Sequence, residues 1–177
     1  MKYFTPDLYA RLQVFDDASM NAADADWEAA VMRYEAHLQA LGESVGRLVD
    51  KFQGVLLHDA KVLSIAKRGN RFTIVLRKDL PPKDLVTLNY TLTAEPFIDK
   101  AAVPHGRHAA GMWFEYDEFD VVHEGDMPTF EHAMLFSNGW EIRLQFDDLQ
   151  ISMAEPVYLT PVASESAVAG VRLTGQA

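Results

Sequence analysis

The hydrophobic period of this chain changes once, at Gly54, and that change restricts the fold more than any other feature. Before Gly54, apolar residues recur every three or four positions; after it, they alternate. A period near 3.6 buries one stripe of a helix, and a period of two buries one face of a strand. A run of helices followed by a run of strands, without βαβ alternation, predicts segregated layers. The expected class is α+β, with two or three N-terminal helices packed on an antiparallel, hairpin-built sheet of about six strands. The expected organisation is one domain over 1–160, helical over 1–53 and β over 54–160. Residues 161–177 read as a tail or edge strand.

Thr5-Pro6 opens the first helix, expected over 5–18: Thr5 is a candidate N-cap, and proline at the first helical position loses no hydrogen bond. The second, about 23–41, carries Trp27, Ala30, Val31, Tyr34, Leu38 and Leu41 on one stripe, and Gly42 ends it. Ser44 is the expected cap of a third helix, 44–52, with Val45, Leu48, Val49 and Phe52 facing inward. Strands are expected at 55–67, 71–77, 85–94, 112–125, 129–136 and 140–153, and a loop at 95–111. Gly69-Asn70 and Asn138-Gly139 supply hairpin turns. In the strand over 112–125 the alternation changes phase near Asp117-Glu118, which predicts a bulge. Segments 70–80 and 138–149 align after a turn asparagine, as two duplicated hairpins would and as any two amphipathic hairpins would.

At 177 residues the chain is long enough to bury a core without staples. It has no cysteine, which excludes disulfides, thiolate metal sites and cysteine nucleophiles. The N-terminal stretch turns polar too soon for a secretion signal, no apolar run reaches membrane-spanning length, and the expected location is cytoplasmic. The formal net charge is −10, unevenly spread: −4 over 1–53, +4 over 54–110 and −10 over 111–177. An acidic chain is a poor ligand for phosphate backbones, so nucleic acid is not the expected partner. The basic residues of the middle third (Lys61, Lys67, Arg68, Arg71, Arg77, Lys78) read as a solvated or paired hairpin face.

No nucleophile elbow, Walker loop, GxGxxG or HExxH is present. The residues that could carry chemistry are histidines beside carboxylates. In LLHDAKVLSI, read as a buried strand, His58 and Asp59 stand side by side; strand neighbours point to opposite faces, so the pair reads as a polar corner whose side chains do not meet. Glu131-His132 repeats the pattern. A sheet bringing His58, Asp59, Tyr116, Glu118, Glu131, His132 and Asp147 onto one face would build a binding cluster, with His58 and His132 as candidate ligands to a divalent metal. No other cofactor is expected. PHGRH at 104–108 spaces two histidines three apart without a nearby third ligand. In MWFEY, adjacent aromatics on opposite faces mean that both faces of the strand are covered or that one forms an interface.

KYFTPDLY, LHDAKVLSI, WFEYDEFDVV and FEHAMLFSNGWEIRLQFDDLQI together resemble an uncharacterised bacterial family, a domain of unknown function. Its members share a KYFTPxLY opening, an LHDA strand, a strand carrying Trp and then Tyr-Asp-Glu, and an FEHxIL hairpin closed by Ser-Asp-Gly. The resemblance covers about 1–152, with Asn138-Gly139 where Asp-Gly is usual. It implies the fold above and brings no activity or catalytic residue. The leading functional expectation is a small acidic protein-interaction module, immunity-like or regulatory. The alternative is a divalent-metal-dependent enzyme or small-ligand binder using the His/carboxylate cluster.

Overall fold

A computed structural model describes residues 1–14, 17–103, 111–123 and 128–155. Among the described residues three helices precede seven strands: α1 Pro6–Leu12, α2 Asp17–Leu41, α3 Glu43–Gln53, β1 Ala60–Arg68, β2 Arg71–Arg77, β3 Leu85–Leu92, β4 Phe97–Asp99, β5 Trp113–His123, β6 Thr129–Phe136 and β7 Glu141–Ala154. The α+β expectation holds, and the helices lie at the N-terminal end. No helix among the described residues is long and apolar enough to cross a membrane. The histidines of PHGRH and the segment 161–177 lie outside the described residues.

Thr5 caps α1 as expected, its hydroxyl accepting from the Leu8 N–H at 3.2 Å. Helix α2 starts earlier than its apolar stripe, because the alanine-rich segment before Trp27 favours helix without needing a buried face. Helix α3 starts at Glu43 with Gly42 at the cap, where φ is +71°, a conformation glycine adopts freely. Val45 and Leu48 are buried, and Val49 and Phe52 pack on them, as the spacing predicts.

The sheet closes on itself. Its order runs β3-β2-β1-β5-β6-β7, and β3 also pairs with β7, so six antiparallel strands form a barrel. Inward residues of β2, β3 and β7 (Phe72, Ile74, Leu76; Val86, Leu88, Tyr90; Ile142, Leu144, Phe146) are at most 2% exposed, and α3 adds to the same core. Closure leaves fewer unpaired edges than an open sheet would. The loop expected at 95–111 contains β4, which follows β3 after Pro96 and pairs with the start of β7 through Phe97↔Arg143 and Asp99↔Glu141. The strand expected at 140–153 is the long strand β7.

Two departures shape the functional surface. Strand β1 starts at Ala60, later than expected, because Leu56 and Asp59 have φ of +39° and +62°, incompatible with extended backbone. LLHDA is therefore a turn leading into the barrel. The bulge in β5 falls at Glu115, where the register with β6 shifts between Phe114 and Tyr116; a second shift lies between Val121 and His123.

Both faces of β5 are covered from within the chain. Phe114 and Phe119 point into the barrel. On the outer face Tyr116 packs against Phe4, Tyr9 and Trp27, and Glu118 receives the backbone N–H groups of Lys2, Tyr3 and Phe4 at 2.6–2.8 Å. That carboxylate fastens the N-terminal segment over the strand.

Candidate functional site

The turn at 56–59 and the bulge at Glu115 lie side by side, because the Asp59 N–H donates to the Phe114 carbonyl at 2.8 Å just before Ala60 pairs with Phe114. A bulge leaves one residue outside the ladder. His58 takes up part of this slack: its Nδ1 donates to the Glu115 carbonyl at 2.6 Å. The bond fixes the tautomer of a neutral ring and leaves the Nε2 lone pair available, as in metal-binding histidines oriented by a carbonyl. Nε2 lies 3.6 Å from Asp59 Oδ2, so the two side chains do meet. The sequence expectation failed here because a left-handed residue, unlike a strand residue, turns neighbouring side chains toward the same side. One ligand atom each from His58, Asp59 and Glu115 lie within 4.8 Å of one another.

Two clefts flank this cluster. One, of about 550 Å³, is walled by Phe4, Trp27 and Tyr116 beside His58, Glu115 and Asp117, and Phe52, Leu56 and Leu57 also line it. The other, of about 480 Å³, includes Asp59 and Glu115 with Tyr9, Trp113 and Ser137. Burial raises the Tyr116 phenol pKa above its ordinary value, and the Glu115 and Asp59 carboxylates add to the shift. The first cleft thus joins aromatic walls to a negative field.

Behind the first cleft lies a buried polar chain. His132 is fully buried in the barrel, stacked on Phe119 with ring centroids 4.0 Å apart. Its Nε2 lies 3.0 Å from Asp117 Oδ2 and its Nδ1 2.7 Å from the Tyr90 hydroxyl. The Asp117 carboxylate accepts, so Nε2 carries the hydrogen and Nδ1 accepts from the phenol. Burial raises the Tyr90 pKa well above its ordinary value, with the Asp117 charge contributing. Asp117 itself is 31% exposed and reaches the cleft.

The seven sequence candidates do not gather on one face. His58, Asp59 and Tyr116 come together at the turn, with a His58–Tyr116 ring distance of 5.3 Å. His132 points into the barrel. Glu118, on the opposite face of the sheet, binds the N-terminal backbone. Glu131 accepts from Gln145 Nε2 at 3.4 Å. Asp147 lines a separate cleft of about 320 Å³ whose walls include Arg47 and Lys51. Glu115, Asp117 and Tyr90 were not among the candidates. The phase change in β5 was the available signal for the first two: it fell on Asp117 itself and two residues past the bulge at Glu115. Tyr90 gave none, since it sits at an ordinary inward position of an alternating strand.

No protein-family model matches the chain, and no curated protein matches it.

Proposed function

We propose that this protein binds a small ligand in the cleft between its N-terminal segment and the barrel, with His58, Glu115 and Asp117 as the polar contacts and Phe4, Trp27 and Tyr116 as the wall. The carrying observation is that one imidazole and two carboxylates converge on a cleft of about 550 Å³ with aromatic sides. Ligand sites are commonly concave and apolar with a few placed polar groups. The polar groups here stand on supported backbone: His58 on a turn tied to β5, and Asp117 on a strand, anchored from behind by His132. The interaction-module reading, expected from the acidic charge, the lack of catalytic motifs, the hairpin-rich sheet and the doubly apolar strand, loses one of its supports, because Tyr116 on the outer face of β5 packs against Phe4, Tyr9 and Trp27 of the same chain.

The test is a fragment screen by NMR on the ¹⁵N-labelled full chain. Hits that shift Leu57, Tyr116 and Asp117 together support the reading. Hits confined to the Asp147 cleft, or no hits, count against it.

A second reading, that the cleft's edge holds a divalent cation, is favoured by the proximity of His58 Nε2 to the Asp59 and Glu115 carboxylates. Imidazole with carboxylate oxygens suits zinc or manganese. Calorimetric titration with each metal tests it: His58→Ala should abolish binding, and retained binding would exclude the imidazole as a ligand.

A further inference from the structure

We propose that a second copy of this chain docks on the outer face of β1 and β2, presenting the acidic side of its α2. Both surfaces lie outside the ligand cleft, and the inference does not depend on that site.

Residues opposite each other in an antiparallel ladder point to the same side of the sheet. The register therefore sets Lys61 beside Arg77 and Arg68 beside Arg71 on the outer face, opposite the buried Phe72, Ile74 and Leu76. Like charges directly across a ladder destabilise it. Of the six basic residues between 61 and 78, Lys67 meets Glu95 and Lys78 meets Asp84. Lys61, Arg68, Arg71 and Arg77 enter no ion pair among the described residues. Basic side chains often guard a sheet edge, but β2 lies between β1 and β3, so Arg71 and Arg77 guard none.

Between the two cation pairs the face is uncharged. Ser64, Ala66, Thr73 and Val75 stand there, and the outward positions of β3 beside them carry no carboxylate. A centre without charge inside a rim of arginine suits a protein partner. Nucleic acid is disfavoured by the net charge of −10 and by the lack of an aromatic ring among these outward residues for a base to stack on.

The complement stands on α2. Asp24, Glu28 and Glu35, at i, i+4 and i+11, share one stripe of the helix. All three are exposed and enter no ion pair among the described residues. Like charges four apart, as at Asp24 and Glu28, weaken a helix. Beside this stripe runs a second one, Ala25, Ala29, Met32 and Ala36, turned away from the buried Ala23 and Ala30, with Met32 63% exposed. The helix is thus apolar on a side that its own barrel does not cover.

The dimensions agree. From Asp24 to Glu35 the helix rises about 16 Å, and from Arg71 to Arg77 the strand spans about 20 Å. The acidic stripe reaches from one cation pair to the other, while the alanines and Met32 lie on the uncharged centre. Each surface relieves the like-charge repulsion within the other, and the charged rims select the partner. Used reciprocally across a two-fold axis, the two surfaces close a dimer; used once per contact, they build a head-to-tail chain.

The test is sedimentation velocity on the full chain over a concentration series at about 50 and about 500 mM salt, with the fold of each variant checked by ¹⁵N–¹H spectra. The expected result is association at low salt that weakens roughly tenfold or more at high salt. Arg68→Glu with Arg71→Glu should weaken it roughly tenfold or more. Glu28→Arg with Glu35→Arg should do the same, although it reduces the net negative charge, which by itself would favour association. All four sites are exposed, so folding should persist. Mixing the two variants should restore association, because the reversed sheet face of one meets the reversed helix of the other and their unaltered surfaces also match. A parent that stays monomeric at low salt up to the millimolar range overturns the proposal. So does association that neither reversal weakens, which would place the interface elsewhere. Two weakened variants that fail to rescue each other would show that these surfaces do not face one another, and would also overturn it. Binding of a short fluorescein-labelled duplex, lost with Arg68→Glu and Arg71→Glu, by a parent that does not self-associate would assign the sheet face to nucleic acid instead.

Discussion

His58 and His132 occur in the same local pattern, a histidine beside a carboxylate in an apolar stretch, yet the fold gives them opposite situations. His132 sits on a strand position that faces the barrel interior; it is fully buried and bonded at both nitrogens, to Asp117 and Tyr90. His58 precedes its strand on a turn with left-handed residues on both sides of it, and its side chain is 56% exposed. The buried ring is expensive to disturb, because burying a polar group without its partner costs far more than a satisfied bond returns. The exposed ring can be lost cheaply, which leaves it available for a ligand. Stability and binding are thus separated along β5: Asp117 faces inward to one histidine, and the Glu115 carbonyl holds the other.

The largest expected effect tests the inner half of this comparison. His132→Ala removes a packed ring, opens a cavity among Phe52, Phe114 and Phe119, and strands the Tyr90 hydroxyl. Large-to-small core substitution plus an orphaned buried donor should cost about 3–5 kcal/mol, read from urea denaturation. A loss under about 1 kcal/mol would show that the Tyr90–His132–Asp117 chain is not a structural element.

Tyr90→Phe probes the same chain more gently. The ring stays and only the donor to Nδ1 goes, so a cost of about 1–2 kcal/mol is expected from the unsatisfied acceptor. The substitution also frees Nδ1, so the ¹⁵N spectrum of the His132 ring should shift. An unchanged spectrum would contradict the hydroxyl–imidazole bond.

His58→Ala sharpens the contrast from the outer side. Its stability cost should be no more than about 1 kcal/mol, since the bond it loses is at the surface and water can replace it. A loss comparable to that of His132→Ala would mean that the turn at 56–59, rather than the barrel interior, controls β1 docking.

The contrast also marks what a sequence can reveal. The helix–strand division at Gly54 was legible, as were β2 and β6 to the residue, because each is a short alternating run bounded by turn signals. Barrel closure was not, since Leu85 and Ala154, paired between β3 and β7, are far apart in the chain and no local pattern encodes their meeting. The LLHDA turn was misread for a different reason. Positive φ at Leu56 and Asp59 is imposed by tertiary contacts, whereas a glycine would have announced it. That one error hid the site, because only a turn brings His58 and Asp59 to the same side. The hairpin likeness of 70–80 and 138–149 extends to Ile74 and Ile142, both fully buried, but His58 and His132 are not equivalent.

The smallest effect concerns the outer face of β5, where Asp120 meets Lys2 and His37. Partial burial pushes the Asp120 carboxyl upward, but the Lys2 hydrogen bond, the Val121 N–H and His37 outweigh it and hold the pKa below the ordinary 3.8. The unfolded chain therefore takes up this proton at higher pH than the folded chain does. The contribution to stability is complete above the ordinary carboxylate value and is lost as pH falls through the depressed folded value. Asp120→Asn should remove this component: its stability should decline less than that of the parent on acidification from pH 5 to about 3, with the gap reduced by salt because Lys2 is exposed. Parallel pH profiles for the two proteins would mean that the Lys2–Asp120–His37 contacts contribute nothing to folding, leaving the backbone bonds to Glu118 and the packing of Phe4 on Tyr116 to hold the N-terminal segment to β5.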